Sequence, residues 1–302
     1  MNATAARTVD ARTRILLKNI LYATDFSKAA GAALPYALGL AKQYGAKVHA
    51  VHVRFPATYP IAGPEAMPQI LEAAEVQAKI EAQELQETFA NVPHDVTIAE
   101  GEVWPTISRL VREQKIDLIV IGTHGRTGVG RILLGSVAEE IFRNAACPVL
   151  TVGPHISKDT ARRLDMKEIL YATDFSPESL GALPYAISLA QEHQARLTLL
   201  HVTEKPQAGD LVDPQHYVAS TMRQLHKLVP AEAERWCEPR FAVEHGSAAD
   251  KIMETAIALG ADLIVLGVRG AEGRMGATTH LLRPTAHRVV TQAQCPVLTV
   301  RG

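Results

Sequence analysis

Residues 117–152 read DLIVIGTHGRTGVGRILLGSVAEEIFRNAACPVLTV. The run Leu118–Ile121 is apolar and rich in β-branched side chains, which predicts a buried strand. A basic loop follows, punctuated by Gly122, Gly125, Gly128 and Gly130 and carrying His124, Arg126 and Arg131. At Gly135-Ser136 the period changes: Val137, Ala138, Ile141 and Phe142 fall on one helical face. Cys147-Pro148 stops that helix, and Val149–Val152 reads as a second short strand. Strand, glycine loop and helix start in succession form a junction suited to anions. Glycines let backbone amides approach closely, and the first helical turn adds unpaired donors at the positive end of a dipole.

Outward from this junction, the chain repeats itself. Residues 19–41 read NILYATDFSKAAGAALPYALGLA and residues 168–190 read EILYATDFSPESLGALPYAISLA. The block ILYATDFS is identical in the two, and LPYA recurs at the same distance. The period of about 150 residues is too long for a solenoid unit and is that of a duplicated domain. Residues 1–14 read as a disordered tail, 15–153 as the first domain, 154–166 as a polar linker and 167–302 as the second domain.

Within the first copy the pattern predicts strands at Ile20–Ala23, Lys47–Val53 and Val96–Ala99, before the strand at Leu118. Helices are expected over Ala29–Tyr44, with a kink or late start at Pro35, over Leu71–Phe89 and over Trp104–Gln114. In the second copy the strands are expected at 168–172, 196–202, 241–243, 262–266 and 297–300. Alternating strands and helices imply α/β architecture: two tandem doubly wound parallel sheets. Ligands on such sheets bind at the carboxyl ends of strands where the winding reverses. Asp25, after the first strand, and the Gly122–Gly130 loop, after the fourth, both lie at carboxyl ends and can share one pocket.

A carboxylate at Asp25 could accept from a ribose hydroxyl or an adenine amino group; as a plain turn or N-cap residue it would need no ligand. Its place beside the glycine loop favours the ligand. Gly122, Gly125, Gly135, Ser136 and Arg126 are the phosphate candidates. Each anion contact at a helix start contributes roughly 0.3–1 kcal/mol when exposed. Micromolar affinity needs about 8 kcal/mol, so base packing and burial must supply most of it. His52 and His201 occupy matching places near the end of the second strand of each copy. Without neighbouring metal-ligating residues they read as core histidines.

Composition narrows the classes. Apolar residues make up 47%, charged residues 21%, and the formal net charge is −1, which favours neither nucleic acid nor an anionic membrane. No apolar run reaches the length of a membrane span. Three cysteines with no CxxC pair argue against a disulfide framework and for a reducing compartment, so the expected location is cytoplasmic.

The spacing Gly122-x2-Gly125-x9-Gly135-Ser136 resembles the nucleotide loop of the universal stress protein family, and the duplication resembles its tandem form. The resemblance implies a Rossmann-like fold similar to the adenine nucleotide alpha hydrolases. It implies ATP bound by the positions Asp25, Val53, Gly122, Gly125, Gly135 and Ser136, with Val53 offering its backbone to the purine edge. Mg2+ would arrive on the phosphates. Relatives act in stress tolerance, often as dimers through the last strand, so Val149–Val152 and Val297–Val300 could pair internally or chains could form a homodimer. An unidentified protein partner would read the bound state. Slow ATP hydrolysis or self-phosphorylation is the most turnover expected.

The second copy departs from the pattern. Asp174, Val202, Gly267 and Gly270 match, but counting back from Cys295 places Arg283-Pro284 where Gly135-Ser136 stands. Proline has no N–H to donate, so this copy is expected to bind weakly, differently or not at all. Two other functions compete: a scaffold or carrier of small apolar ligands, consistent with the apolar loop Tyr59–Met67, and an adenylyl-transferring enzyme.

Overall fold

The computed structural model describes residues 14–54, 67–123, 134–153, 156, 165–203, 214–269 and 284–301, without the side chains of Met67, Pro214, Glu234, Arg235 and Pro284. Contacts divide the chain into two compact units, Leu16–Leu164 and Asp165–Gly302, the second including Ile15, whose amide donates to Ser188 Oγ at 2.9 Å.

The first unit runs β1 (Asn19–Ala23), α1 (Lys28–Gly31), α2 (Leu34–Tyr44), β2 (Lys47–Arg54), α3 (Met67–Thr88), β3 (His94–Glu100), α4 (Val103–Glu113), β4 (Leu118–Gly122), α5 (Ser136–Asn144) and β5 (Val149–Val152). Its strands are ordered β3-β2-β1-β4-β5, and every pairing is parallel. The winding runs outward from β1 through β2 to β3, then restarts at β4 on the other side of β1. The reversal therefore lies between β1 and β4. Parallel strands covered on both faces must be apolar along their length, and Ile20, Leu21, Tyr22 and Leu118–Ile121 are all buried.

The second unit runs β6 (Glu168–Ala172), α6 (Pro177–His193), β7 (Arg196–Thr203), α7 (Pro214–Leu228), a 3-10 turn (Ala231–Arg235), β8 (Pro239–His245), α8 (Ala248–Leu259), β9 (Leu263–Val268), α9 (Pro284–Gln292) and β10 (Val297–Arg301). Its order is β8-β7-β6-β9-β10, again parallel throughout. Each unit is a doubly wound, Rossmann-like α/β sheet.

The repeated proline behaves differently in the two units. In the first, the helix after β1 breaks at Ala32-Ala33, and Pro35 sits in the first turn of α2, where its missing N–H costs nothing. In the second, Pro184 lies inside an unbroken α6. Gly31 closes α1 in the first unit, and Leu180 occupies the matching position in the second.

Candidate functional site

The block ATDFS builds the turn after β1 from its own side chains. Thr24 Oγ1 accepts from the Phe26 amide at 2.9 Å, and Asp25 Oδ1 accepts from the Ser27 amide at 3.0 Å. Ser27 Oγ caps α1 by accepting from Ala30 N at 3.1 Å. These bonds hold Phe26 at φ 60°, an uncommon conformation for a bulky residue. The His52 ring closes the turn from β2: Nδ1 donates to the Thr24 carbonyl at 2.9 Å, and the ring lies 4.6 Å from that of Phe26. The second unit repeats the device with Thr173, Asp174, Phe175 (φ 60°), Ser176 and His201. His52 and His201 are thus buried histidines that pin the turn presenting the carboxylate.

Beside this turn, at the reversal between β1 and β4, the first unit has a cleft of about 590 Å³. That is a volume suited to a small organic ligand. Asp25, Val53, Gly122, Gly135 and Ser136 all line it, so the structure brings together five of the seven first-domain candidates. Gly125 and Arg126 lie outside the described residues, as do His124, Arg131 and the apolar stretch up to Ala66.

Two of the glycines take a more specific meaning. A Cβ on Gly122 would stand 2.7 Å from the Ala29 carbonyl oxygen and 2.9 Å from Ala30 Cα. Gly122 is required for β4 to pass under the start of α1, whatever the cleft holds. Gly135 caps α5 with φ −59°, a conformation open to any residue, and its amide donates to the Thr123 carbonyl at 2.8 Å. The two ends of the glycine loop are thereby tied together. The donors that remain for an anion are the first-turn amides of α5, at Ser136, Val137 and Ala138, where no intrahelical acceptor exists.

Other walls of the cleft gave little signal in the sequence. Ala74, Gln77 and Ala78 come from α3, and Trp104 and Pro105 from the start of α4. Arg54, the last residue of β2, also lines it and pairs with Glu100 and with Glu75 at 3.6 Å. Trp104 follows Gly101, which turns at φ 125°; that glycine ahead of a Trp-Pro pair was the available clue.

In the second unit, Asp174 is exposed, whereas Asp25 is half-buried. Partial burial opposes ionisation of Asp174, but the Ser176 hydroxyl and amide outweigh it and hold the carboxyl below its ordinary range. Ser179 fills the place of Ala30 and bonds to Thr173 Oγ1 at 2.9 Å. Gly267 repeats the packing of Gly122 more tightly, with the Glu178 carbonyl oxygen closer still to a would-be Cβ. Val202 is the last residue but one of β7, as Val53 is of β2, while Gly270 is outside the described residues. Pro284 is the first residue of α9, where α5 has Ser136, so the leading amide donor is absent.

Burial pushes the thiols of Cys147 and Cys295 up to about 12, which keeps them protonated at neutral pH and removes them as nucleophiles. No cluster of three metal-ligating side chains occurs among the described residues, and no described helix is long and apolar enough to cross a membrane.

Comparison with known proteins agrees with this architecture. A universal stress protein of Methanocaldococcus jannaschii is 36% identical over 141 residues, which is 45% of this chain and 82% of that protein. One from Mycolicibacterium smegmatis is 28% identical over 295 residues, covering 93% of this chain and 96% of its own length. The crystal structure of a universal stress protein from Archaeoglobus fulgidus superposes with a TM-score of 0.67 at 21% identity, covering 94% of this chain and 98% of that one, and so shares the fold. The model of the universal stress protein family matches twice, at residues 17–153 and 166–301. The chain belongs to the universal stress protein family, with two of its domains in tandem.

Proposed function

We propose that the first domain binds an adenine nucleotide, ATP with Mg2+ on its phosphates, and that the chain serves stress responses as a nucleotide-dependent regulator. The observation that carries this reading is the convergence of Asp25, Val53, Gly135 and Ser136 on one 590 Å³ cleft at the sheet's reversal point. The donor set fits the parts of the ligand. First-turn amides of α5 suit phosphate oxygens. The half-buried Asp25 carboxylate suits a ribose hydroxyl. Trp104, Val53 and Ile107 offer the apolar contact that must provide most of the affinity. Without three protein ligands for a metal among the described residues, the cation would be held chiefly by the phosphates. Binding is the claim, and turnover is at most slow. The second domain is proposed to lack an equivalent site, because Pro284 removes a donor at the start of α9.

Equilibrium dialysis with labelled ATP and Mg2+ tests this directly, with Trp104 emission as a local reporter. One equivalent per chain is expected, with an emission change that Trp104→Phe abolishes while Trp236 is left in place. Two equal sites, or saturable binding that leaves Trp104 emission untouched, would count against the assignment.

A further inference from the structure

The two units differ in what joins the helix starts that, in the first, line the cleft. In the second, Arg288 lies one turn into α9 and pairs with Asp250 Oδ1; it also donates to Asp250 Oδ2 at 3.4 Å and to Ser247 Oγ at 3.3 Å. Ser247 stands at the N-cap position of α8, and Asp250 belongs to its first turn. One side chain therefore ties the starts of the two helices together.

Internal alignment locates the counterparts. Counting back from Cys147 and Cys295, Arg288 stands where the first unit has Glu140. Counting on from Gly101 and Gly246, which turn at φ 125° and 137°, Ser247 stands at Glu102, Ala249 at Trp104 and Asp250 at Pro105. Glu102, Trp104, Pro105 and Glu140 all line the first unit's cleft. Two of these are carboxylates and one is proline, so no bridge of the second unit's kind can form among them. Ala249, by contrast, is buried.

We propose that the residue at this one position decides which unit admits a ligand between these helix starts: Arg288 clamps them together in the second unit, whereas Glu140 cannot do so in the first. The clamp adds to the effect of Pro284 and acts through side chains, not on the anion donors. The groups facing Asp250 are Ser247, Arg288 and Lys251, and together they hold its carboxyl below the ordinary range. The clamp thus stays charged through neutral pH and loosens only in acid. The choice of a nucleotide as the ligand admitted rests on the function proposed above; the clamp itself can be tested with no ligand present.

The test is hydrogen exchange on the intact chain, read at the amides of 248–252 and 286–290. Arg288→Gln should speed exchange at both helix starts about threefold, as expected for a partly exposed pair. Arg288→Lys should restore part of the protection. Asp250→Asn should match Arg288→Gln, and the double variant should show no further increase, since both changes remove one interaction. In the first unit, Pro105→Asp with Glu140→Arg should slow exchange at residues 104–107 by a similar factor. Unchanged exchange in Arg288→Gln, or additive effects of the two single changes, would overturn the clamp. If exchange behaves as described while wild-type protein binds no ATP, the clamp stands and the nucleotide reading falls.

Discussion

His52 Nδ1 donates to the carbonyl of Thr24 across 2.9 Å, and His201 does the same to Thr173 across 2.8 Å. Each bond joins the second strand of a unit to the turn after its first. Without it, a buried carbonyl beside a residue at φ 60° would lack its partner. His52→Ala and His201→Ala should each cost about 1–3 kcal/mol of stability in denaturant unfolding. Only His52→Ala should also weaken ATP binding, because only the first unit's turn presents its carboxylate to the proposed site. Equal effects of the two changes on ATP affinity would refute that division.

Gly122 and Gly267 look like phosphate glycines in sequence, and each also has a packing reason to be glycine. Ala29 O lies 2.7 Å from a Cβ built on Gly122, and Glu178 O lies nearer still to one on Gly267. Both obstacles are backbone, so neither can swing aside. Gly122→Ala should destabilise by roughly 1–3 kcal/mol, and Gly267→Ala by at least as much. Differential scanning calorimetry reads this; a melting temperature unchanged by either substitution would show that the helix starts can yield.

The fold was legible because its signals are periodic and doubled. Ile20–Ala23 and Ile169–Ala172 share one strand pattern, and the β-branched apolar run at Leu118 reads as a buried strand, as a covered parallel sheet requires. The candidate site was legible where residues lie at or just past the carboxyl end of a strand, as Val53 and Asp25 do. It was not legible where the cleft borrows from elements distant in sequence. Gln77 reaches it from the middle of a long helix, and Trp104 from the first turn of the helix after an edge strand. Their side chains obey helical periodicity, and nothing in that period marks the direction of a ligand. The roles of Gly122 and His52 were hidden for the same reason: each is defined by a partner on another element, Ala29 in one case and Thr24 in the other.

At the amino ends of the first unit's strands, His49 is buried between Asp95, 2.9 Å from its Nδ1, and Asn19 Oδ1, 3.3 Å from its Nε2. Burial lowers its pKa, Asp95 offsets part of that, and Lys47 adds to the lowering. A histidine whose folded pKa is depressed binds fewer protons than its unfolded counterpart. Its contribution to stability is therefore complete above the ordinary value of about 6.5 and falls as pH drops from there toward the depressed value. The second unit has Thr198 at the matching place, bonded to Glu168 at 3.1 Å. His49→Thr should flatten the decline of stability in weak acid relative to wild type. Parallel pH profiles for the two proteins would remove His49 from the account.

Gly135 separates the backbone's needs from the ligand's. With φ −59° and ψ 145° it does not require glycine, and its amide, bonded to the Thr123 carbonyl, survives any substitution except proline. Gly135→Ala should therefore change stability by no more than about 0.5 kcal/mol. Gly135 nevertheless lines the cleft at the start of α5, next to the Ser136 and Val137 amides proposed to hold a phosphate, so added bulk there takes up space that the phosphate needs. ATP affinity should fall about tenfold, a loss of about 1.4 kcal/mol, and Gly135→Val should lose more. Isothermal titration against thermal unfolding distinguishes the two demands. A variant that folds normally and still binds ATP as wild type does would move the phosphates away from this helix start and leave the cleft to another occupant.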